Sequence, residues 1–517
     1  MDGDFDMSVI GHEYGHMVEN RLIGKGGTRG GHHAGAMGES SGDLMGMEVL
    51  NEYGFVPVSG ENPFAVGAYA TGNKQRGIRN FGMNASPLNF SDMGYDLTGP
   101  QVHADGEIWS ATNYDIRQAL VAKYGAGDAK SQVDCAEGKV PAGNCPGNRR
   151  WVQIMFDAYL LMPTAPSMLD ARDAYLAADQ MRFGGANQAE LWLAFAKRGF
   201  GKDAKASNTA ADTDVDPTPD FASLRHSNAT VTFTAQDEKK LAVSTRVYVG
   251  KYEARVSPIA DTNPATTGQN LDATAQFAPG TYEFVAHAPG YGHVRLTRTF
   301  GAGQTVTVAL PMRSNWASTA KGATAAGDGI RFADLIDDTE SSNWERTGAQ
   351  PDVRGSQVTV NLSGTVQTVR RVQVSAMLLP GQNRFTALRQ FEIQTCLEDA
   401  ANANCSLPSG WKTQVASPAD AFPGVSPRPA SPDLILRSFT LAAAVKATHV
   451  RIVVVTNQCT GSDAFQGEQD NDPANGTDCR EGSPGTGATV ELAGDLPQVL
   501  APRDNEVRIA ELQVFSS

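Results

Sequence analysis

Two periodicities divide the chain. Met7–Ile23 places apolar residues near helical spacing with no proline, which predicts a helix. Met37–Met47 reads as the start of a second helix, and a long amphipathic one opens at Val102 and runs to about Tyr124. Composition changes near Ala206: the stretch Ala206–His226 is rich in Asp, Thr, Pro and Ala and reads as a linker. From Ala229 the period falls to two, in Val231-Thr232-Phe233-Thr234 and Val247-Tyr248-Val249. Further strand-like runs follow, punctuated by Pro279-Gly280 and Pro289-Gly290, with a last strand near Val306–Leu310, which predicts a small β-sandwich. Residues 313–517 form a further unit. The expected organisation is therefore a mainly α-helical unit (1–205), a linker (206–228), a small β-sandwich (229–312) and a second all-β domain (313–517).

The chemistry concentrates in the helical unit. His12-Glu13-Tyr14-Gly15-His16 matches H-E-x-x-H. Residues four apart lie on one helix face, so both imidazoles can bind one metal ion, and Glu13 can reach a water on it. A catalytic zinc takes three protein ligands, and the next predicted helix offers two carboxylates four residues apart, Glu39 and Asp43. Glu39 can ligate, while Asp43 can hold the free N–H of a ligand histidine. His32 and His33 sit in the glycine-rich Gly24–Gly38 connection, which reads as a surface loop with its histidines facing solvent, so they stay outside the site. His103, at the start of the long helix, can donate to an oxyanion, and Arg79 can be a second donor or a clamp on the substrate backbone.

These residues resemble the active-site segment of fungalysin-type (M36-like) extracellular metallopeptidases, within the thermolysin-like zinc endopeptidases. The resemblance is carried by Asp2–Asp6, His12–His16, Asn20-Arg21-Leu22, Met37–Asp43, Gly77–Phe81, Ser91-Asp92-Met93 and Val102–Ser110. Pro163–Ala174 and Ala194–Gly201 resemble that family's closing helices. The resemblance implies Zn2+ on His12, His16 and Glu39, Glu13 as general base, His103 at the oxyanion and Arg79 as the cleft arginine. Such enzymes commonly use a tyrosine between the second histidine and the glutamate, and residues 17–38 contain none. Asp92 and Asp96 stand as carboxylates that could orient His103. The family also carries a β-rich lobe before the zinc helix, whereas here only eleven residues precede His12. The expectation is an N-terminally truncated peptidase that, as given, binds zinc poorly and cleaves little.

In the last unit, Phe332–Trp344 and Asn505–Phe515 resemble the early loop and final strand of discoidin-type domains, galactose-binding-like jelly rolls whose loops bind glycans or other surface ligands. The 229–312 unit is similar to carboxypeptidase-regulatory-like modules. Protein or peptide substrates and cell-surface or matrix glycans are the implied partners.

Composition narrows the reading. At 517 residues the chain is too long for one core. A net charge of −14 argues against nucleic acid as a partner. No apolar run approaches the ~20 residues that span a bilayer. The six cysteines fall as neighbouring pairs, Cys135/Cys145, Cys396/Cys405 and Cys459/Cys479, which read as local disulfides of a secreted protein. Glu468–Asp472 offers carboxylates and amides suited to Ca2+, but it fails EF-hand spacing and reads first as a solvated acidic loop. Two functional readings follow: a secreted zinc endopeptidase with localising β-domains, or a surface- or carbohydrate-binding protein with an inactive or incomplete peptidase remnant.

Overall fold

The computed structural model of the chain describes residues 3–26, 30–52, 60–97, 99–206, 215, 217–253, 257–265, 271–398, 404–424, 428–461, 480–482, 500–502 and 505–517. Asp6 opens helix α1 (Met7–Leu22): its carboxylate accepts the Ser8 N–H and also the amides of Tyr69 and Ala70, both at 3.0 Å. Helix α2 (His32–Glu52) and the single turn α3 (Ala68–Thr71) follow. Then come α4 (Val102–Tyr124), α5 (Ala129–Ala136), α6 (Gly147–Leu161), α7 (Met168–Phe183) and α8 (Gln188–Lys197). Helix α7 starts at a capping box in which Ser167 and Asp170 exchange side chain-to-backbone bonds.

Glycines set how closely the first helices pack. A Cβ on Gly11 would meet the Gly46 Cα at 2.6 Å, and one on Gly15 would meet the Gly42 Cα at 2.7 Å. Helices α1 and α2 therefore cross backbone to backbone, with each glycine pair one turn from the next. Helix α4 crosses α2 in the same way, because a Cβ on Gly106 would lie 2.7 Å from the Ala36 carbonyl oxygen. Behind these crossings the core is aromatic: Trp109 packs edge-on to Tyr175 and Phe200 and stacks on Phe195, all fully buried. On the opposite side of α1, Met7, Ile10, Tyr14 and Met17 are exposed.

The sandwich pairs two sheets. One has the order β4-β1-β7, from β1 (Ala229–Gln236), β4 (Thr274–Phe277) and β7 (Thr305–Pro311), with β1 and β7 parallel. The other has the order β3-β2-β5-β6, from β2 (Arg246–Val249), β3 (Ala260–Asp261), β5 (Gly280–His287) and β6 (Val294–Phe300). Phe233, Phe277, Tyr282, Phe284 and Phe300 fill the space between them. Phe221 joins this core, so the second half of the 206–228 stretch packs as part of the sandwich.

The last unit places a five-stranded antiparallel sheet, β13-β12-β15-β10-β8, beside a three-stranded one, β14-β11-β19. The first uses β8 (Thr324–Gly327), β10 (Gln357–Asn361), β12 (Leu388–Cys396), β13 (Lys412–Ala416) and β15 (His449–Asn457). The second uses β11 (Gln367–Ser375), β14 (Arg437–Ala447) and β19 (Glu511–Phe515). Two short pairs complete it, β9 (Trp344–Arg346) with β18 (Val507–Ile509) and β16 (Arg480–Gly482) with β17 (Leu500–Pro502). One turn of helix, α9 (Ser431–Leu434), precedes β14. This is the all-β jelly roll expected behind the helical unit and the sandwich. Its buried side chains belong to one continuous apolar cluster with those of the helical unit, running from Ile23 through Trp109 and Tyr252 to Val514.

Disulfides join Cys135 to Cys145 and Cys396 to Cys405. Cys479 and the acidic stretch Glu468–Asp472 lie outside the described residues. Among the described residues no helix is long and apolar enough to cross a membrane.

Candidate metal centre

The α1–α2 crossing brings His12, His16 and Glu39 together, with one ligand atom from each lying within 4.8 Å of the others. His12 Nε2 is 3.5 Å from Glu39 Oε2, and His16 Nε2 is 3.6 Å from Glu39 Oε1. A tetrahedral zinc with bonds of about 2.1 Å holds its ligand atoms about 3.4 Å apart. Two imidazole nitrogens and a carboxylate at these separations therefore fit that ion. Glu13, the next residue after His12, is exposed.

The donor set is oriented from behind. His12 Nδ1 donates to Asp43 Oδ1 at 2.7 Å, which turns the Nε2 edge of the ring toward Glu39 and His16. Arg79 donates to both Asp43 oxygens, Nε to Oδ2 and Nη2 to Oδ1, each at 2.8 Å, and Nη2 also lies 3.4 Å from Glu39 Oε2. Burial opposes a charged Asp43, but Arg79 and His12 outweigh it and hold the carboxyl down at about 2. Burial likewise opposes an imidazolium at His12, yet hydrogen bonds to Asp43 and Glu39 raise it to about 9. The reading of Arg79 as a substrate clamp or oxyanion donor needs an exposed guanidinium. Its side chain is only 7% exposed and grips the carboxylates, so Arg79 supports the ligands instead.

His103 stands at the first turn of α4 with its Nε2 3.2 Å from Glu39 Oε2 and its side chain 49% exposed. Burial and Arg79 lower its pKa, favouring the neutral ring. The neighbour of its other nitrogen is Gln101. The Gln101 Oε1 accepts the Ala104 N–H at 2.9 Å as the cap of α4, which turns Nε2 of the same amide toward His103 Nδ1. With Nδ1 accepting, the ring proton sits on Nε2 and points into the site, where an oxyanion donor needs it. Neither carboxylate named from the sequence does this. Asp92 closes the capping box of the Phe90–Asp92 turn, and Asp96 bonds Asn80 and Ser431. Each is committed to loop structure.

Other assignments from the sequence also change. His32 and His33 do not face solvent in a loop; they start α2 five residues earlier than the predicted Met37. His32 Nε2 bonds the buried Asp105 at 2.6 Å, and His33 Nδ1 accepts the Met168 N–H at 3.2 Å, so both tie the helix entry to its neighbours. They remain outside the ligand cluster. Glu107 went unnoticed in the sequence, although its two oxygens accept the Asn80 and Phe81 amides at 2.8 and 2.9 Å and so fix the segment carrying Arg79. Burial pushes its carboxyl up to about 8, against those amides and Arg79. The i, i+4 glycine pairs Gly11/Gly15 and Gly42/Gly46 were the available signal for the helix crossing.

Comparison with known proteins bears on the helical unit that carries these residues. Residues 1–204 match the fungalysin metallopeptidase (M36) family. The extracellular metalloproteinase mep of Aspergillus niger is 33% identical over 214 residues, which cover 40% of this chain and 32% of that protein. The extracellular metalloproteinase 2 of Phaeosphaeria nodorum is 33% identical over 222 residues, covering 42% of this chain and 33% of its own length. The chain thus spans about a third of the length of these relatives. Among solved structures, the family 32 CBM from C. perfringens NanJ in complex with galactose is 11% identical with a TM-score of 0.21, covering 37% of this chain and 91% of that one. A likeness that low carries no argument about binding. For the first unit the sequence match and the site geometry point the same way: residues 1–204 are similar to the fungalysin metallopeptidase (M36) family.

Proposed function

We propose that the chain carries the zinc centre of a secreted endopeptidase that hydrolyses peptide bonds in proteins. The observation behind this reading is the convergence of His12, His16 and Glu39 with His12 oriented by Asp43. Zinc held by these three residues supplies Lewis acidity toward the scissile carbonyl. Glu13 takes a proton from the attacking water as its oxygen adds to the carbonyl carbon, then passes that proton to the leaving amine as the C–N bond breaks. The His103 Nε2–H donates to the oxyanion of the tetrahedral intermediate. Arg79 keeps Asp43 ionised and Glu39 in place. Secretion agrees with the disulfides and with the extracellular naming of the relatives. On the resemblance of residues 332–344 and 505–515, the jelly roll is assigned to glycans of cell surface or matrix.

The test is cleavage of an unfolded protein substrate by the full-length protein carrying this sequence and by its Glu13→Gln variant, with zinc content measured for both. Cleavage lost in Glu13→Gln with zinc retained is the expected result. Equal cleavage by the two proteins would overturn the reading.

A further inference from the structure

The jelly roll does not hang from the helical unit as a separate module. It reaches the segment that carries Arg79 at three places. Arg76, three residues before Arg79, makes a two-pronged ion pair with Asp433 of α9, Nη1 to Oδ2 at 2.7 Å and Nη2 to Oδ1 at 2.9 Å. Arg428 Nη2 donates to the carbonyl oxygen of Ile78, the residue before Arg79, at 3.1 Å. Asp96 accepts from Asn80 Nδ2 on one side, at 3.2 Å, and from Ser431 Oγ and Arg384 Nη2 on the other, at 3.0 and 3.4 Å. Gly99, two residues before the Gln101 cap, lies flush on the jelly roll, since a Cβ there would come 2.6 Å from Pro380 Cβ.

The held segment is a loop anchored at its start, where the Asn62 N–H donates to the Lys74 oxygen at 2.7 Å and the Gly77 N–H to the Asn73 oxygen at 2.9 Å. Residues 73–82 form no helix or strand and fold through a few local bonds, including Ile78 N–H to the Val66 oxygen at 2.8 Å and Arg79 N–H to the Arg76 oxygen at 3.3 Å. Within the helical unit, Glu107 grips it just after Arg79, at Asn80 and Phe81. Just before Arg79, at Arg76 and Ile78, the side-chain grips described above come from the jelly roll. The Arg79 guanidinium in turn holds Asp43 and Glu39, one orienting a metal ligand and the other being one.

We propose that the C-terminal jelly roll is a working part of the metal centre: Asp433 and Arg428 position the Arg76–Arg79 segment so that Arg79 holds Asp43 and Glu39 for the metal. This rests on the zinc reading above. Asp433, Arg428 and Arg76 are positioning residues, with no contact to the ligands themselves. Residues more than 340 positions away in sequence thereby set the affinity of a site built on the first two helices.

The experiment measures zinc affinity of the full chain by competition with a chromophoric chelator, in a double-mutant cycle. Arg79→Ala is expected to weaken zinc binding about 10- to 100-fold, the usual cost of losing a partner of metal ligands. Asp433→Asn is expected to weaken it about threefold to tenfold, within that ceiling. Added to Arg79→Ala, Asp433→Asn should cost nothing more, because the route through Arg79 is already cut. The charge exchange Arg76→Asp with Asp433→Arg should recover affinity relative to Asp433→Asn alone. If Asp433→Asn does not fold, Arg428→Gln makes the same comparison, since its partner is a backbone carbonyl. Unchanged affinity in the single variant, or an equal loss in both backgrounds, overturns the proposal while leaving the zinc reading intact. A parent chain that binds no zinc overturns both.

Discussion

The Cα of Gly42 packs directly on the His12 ring: a Cβ built there would come 2.6 Å from Nδ1 and 2.8 Å from Cγ. The imidazole proposed to bind metal and the backbone that carries Asp43 are thus in contact with no space between them. Gly42→Ala must push the ring off Asp43 or the helices apart. Overpacking of this kind costs about 1–3 kcal/mol. We expect that loss in a denaturant titration, together with at least about a tenfold weaker zinc affinity from the displaced ring.

Asp43 has a different role, set by charge as well as shape. It accepts three charge-assisted bonds, one from His12 and two from Arg79. Asn fits the same volume but has one acceptor oxygen and turns an NH2 group toward a donor. Asp43→Asn is expected to weaken zinc binding by about 10- to 100-fold while the fold persists, as read by far-UV circular dichroism and equilibrium chelator competition.

Away from the metal, His287 of β5 gives the molecule an acid-sensitive point. Burial lowers its pKa to about 4, against the attraction of Glu253 at 3.4 Å and of Asp261; His293, with ring centres 5.4 Å apart, and Arg246 push it the same way as burial. The folded value lies below the ordinary 6.5, so the unfolded chain binds the extra proton first as pH falls. Stability from this group is therefore present above pH 6.5 and lost between about 6.5 and about 4. The shift corresponds to about 3 kcal/mol at most. His287→Phe cannot take up that proton, so the stability difference between parent and variant should change by up to that amount between pH 7 and pH 4. A difference independent of pH would show that His287 takes up its proton equally in the folded and unfolded states.

The convergence of His12, His16, Glu39 and Asp43 was legible because it follows from local spacing: each is placed by a four-residue interval on one of two helices. The period-2 strands were legible for the same reason, as Val247–Val249 and Val306–Leu310 show. What sequence spacing could not convey was contact between elements. Arg79 is a plausible substrate clamp by type, and only its bonds to Asp43 and Glu39 give its position. Gln101 is an uncommon helix cap, so its grip on His103 carried no pattern. His32 and His33 look like loop residues among glycines, yet Asp105 and the Met168 amide draw them into a helix. The hold of Asp433 on Arg76 spans 357 residues, beyond the reach of any local rule.

The central claim is that the first two helices build a zinc site from His12, His16 and Glu39. Equilibrium zinc binding to the full chain and to His12→Ala tests it most directly. The account predicts one zinc per chain in the parent and none held at the same concentrations in the variant. Equal zinc in the two proteins, or none in the parent, would contradict it.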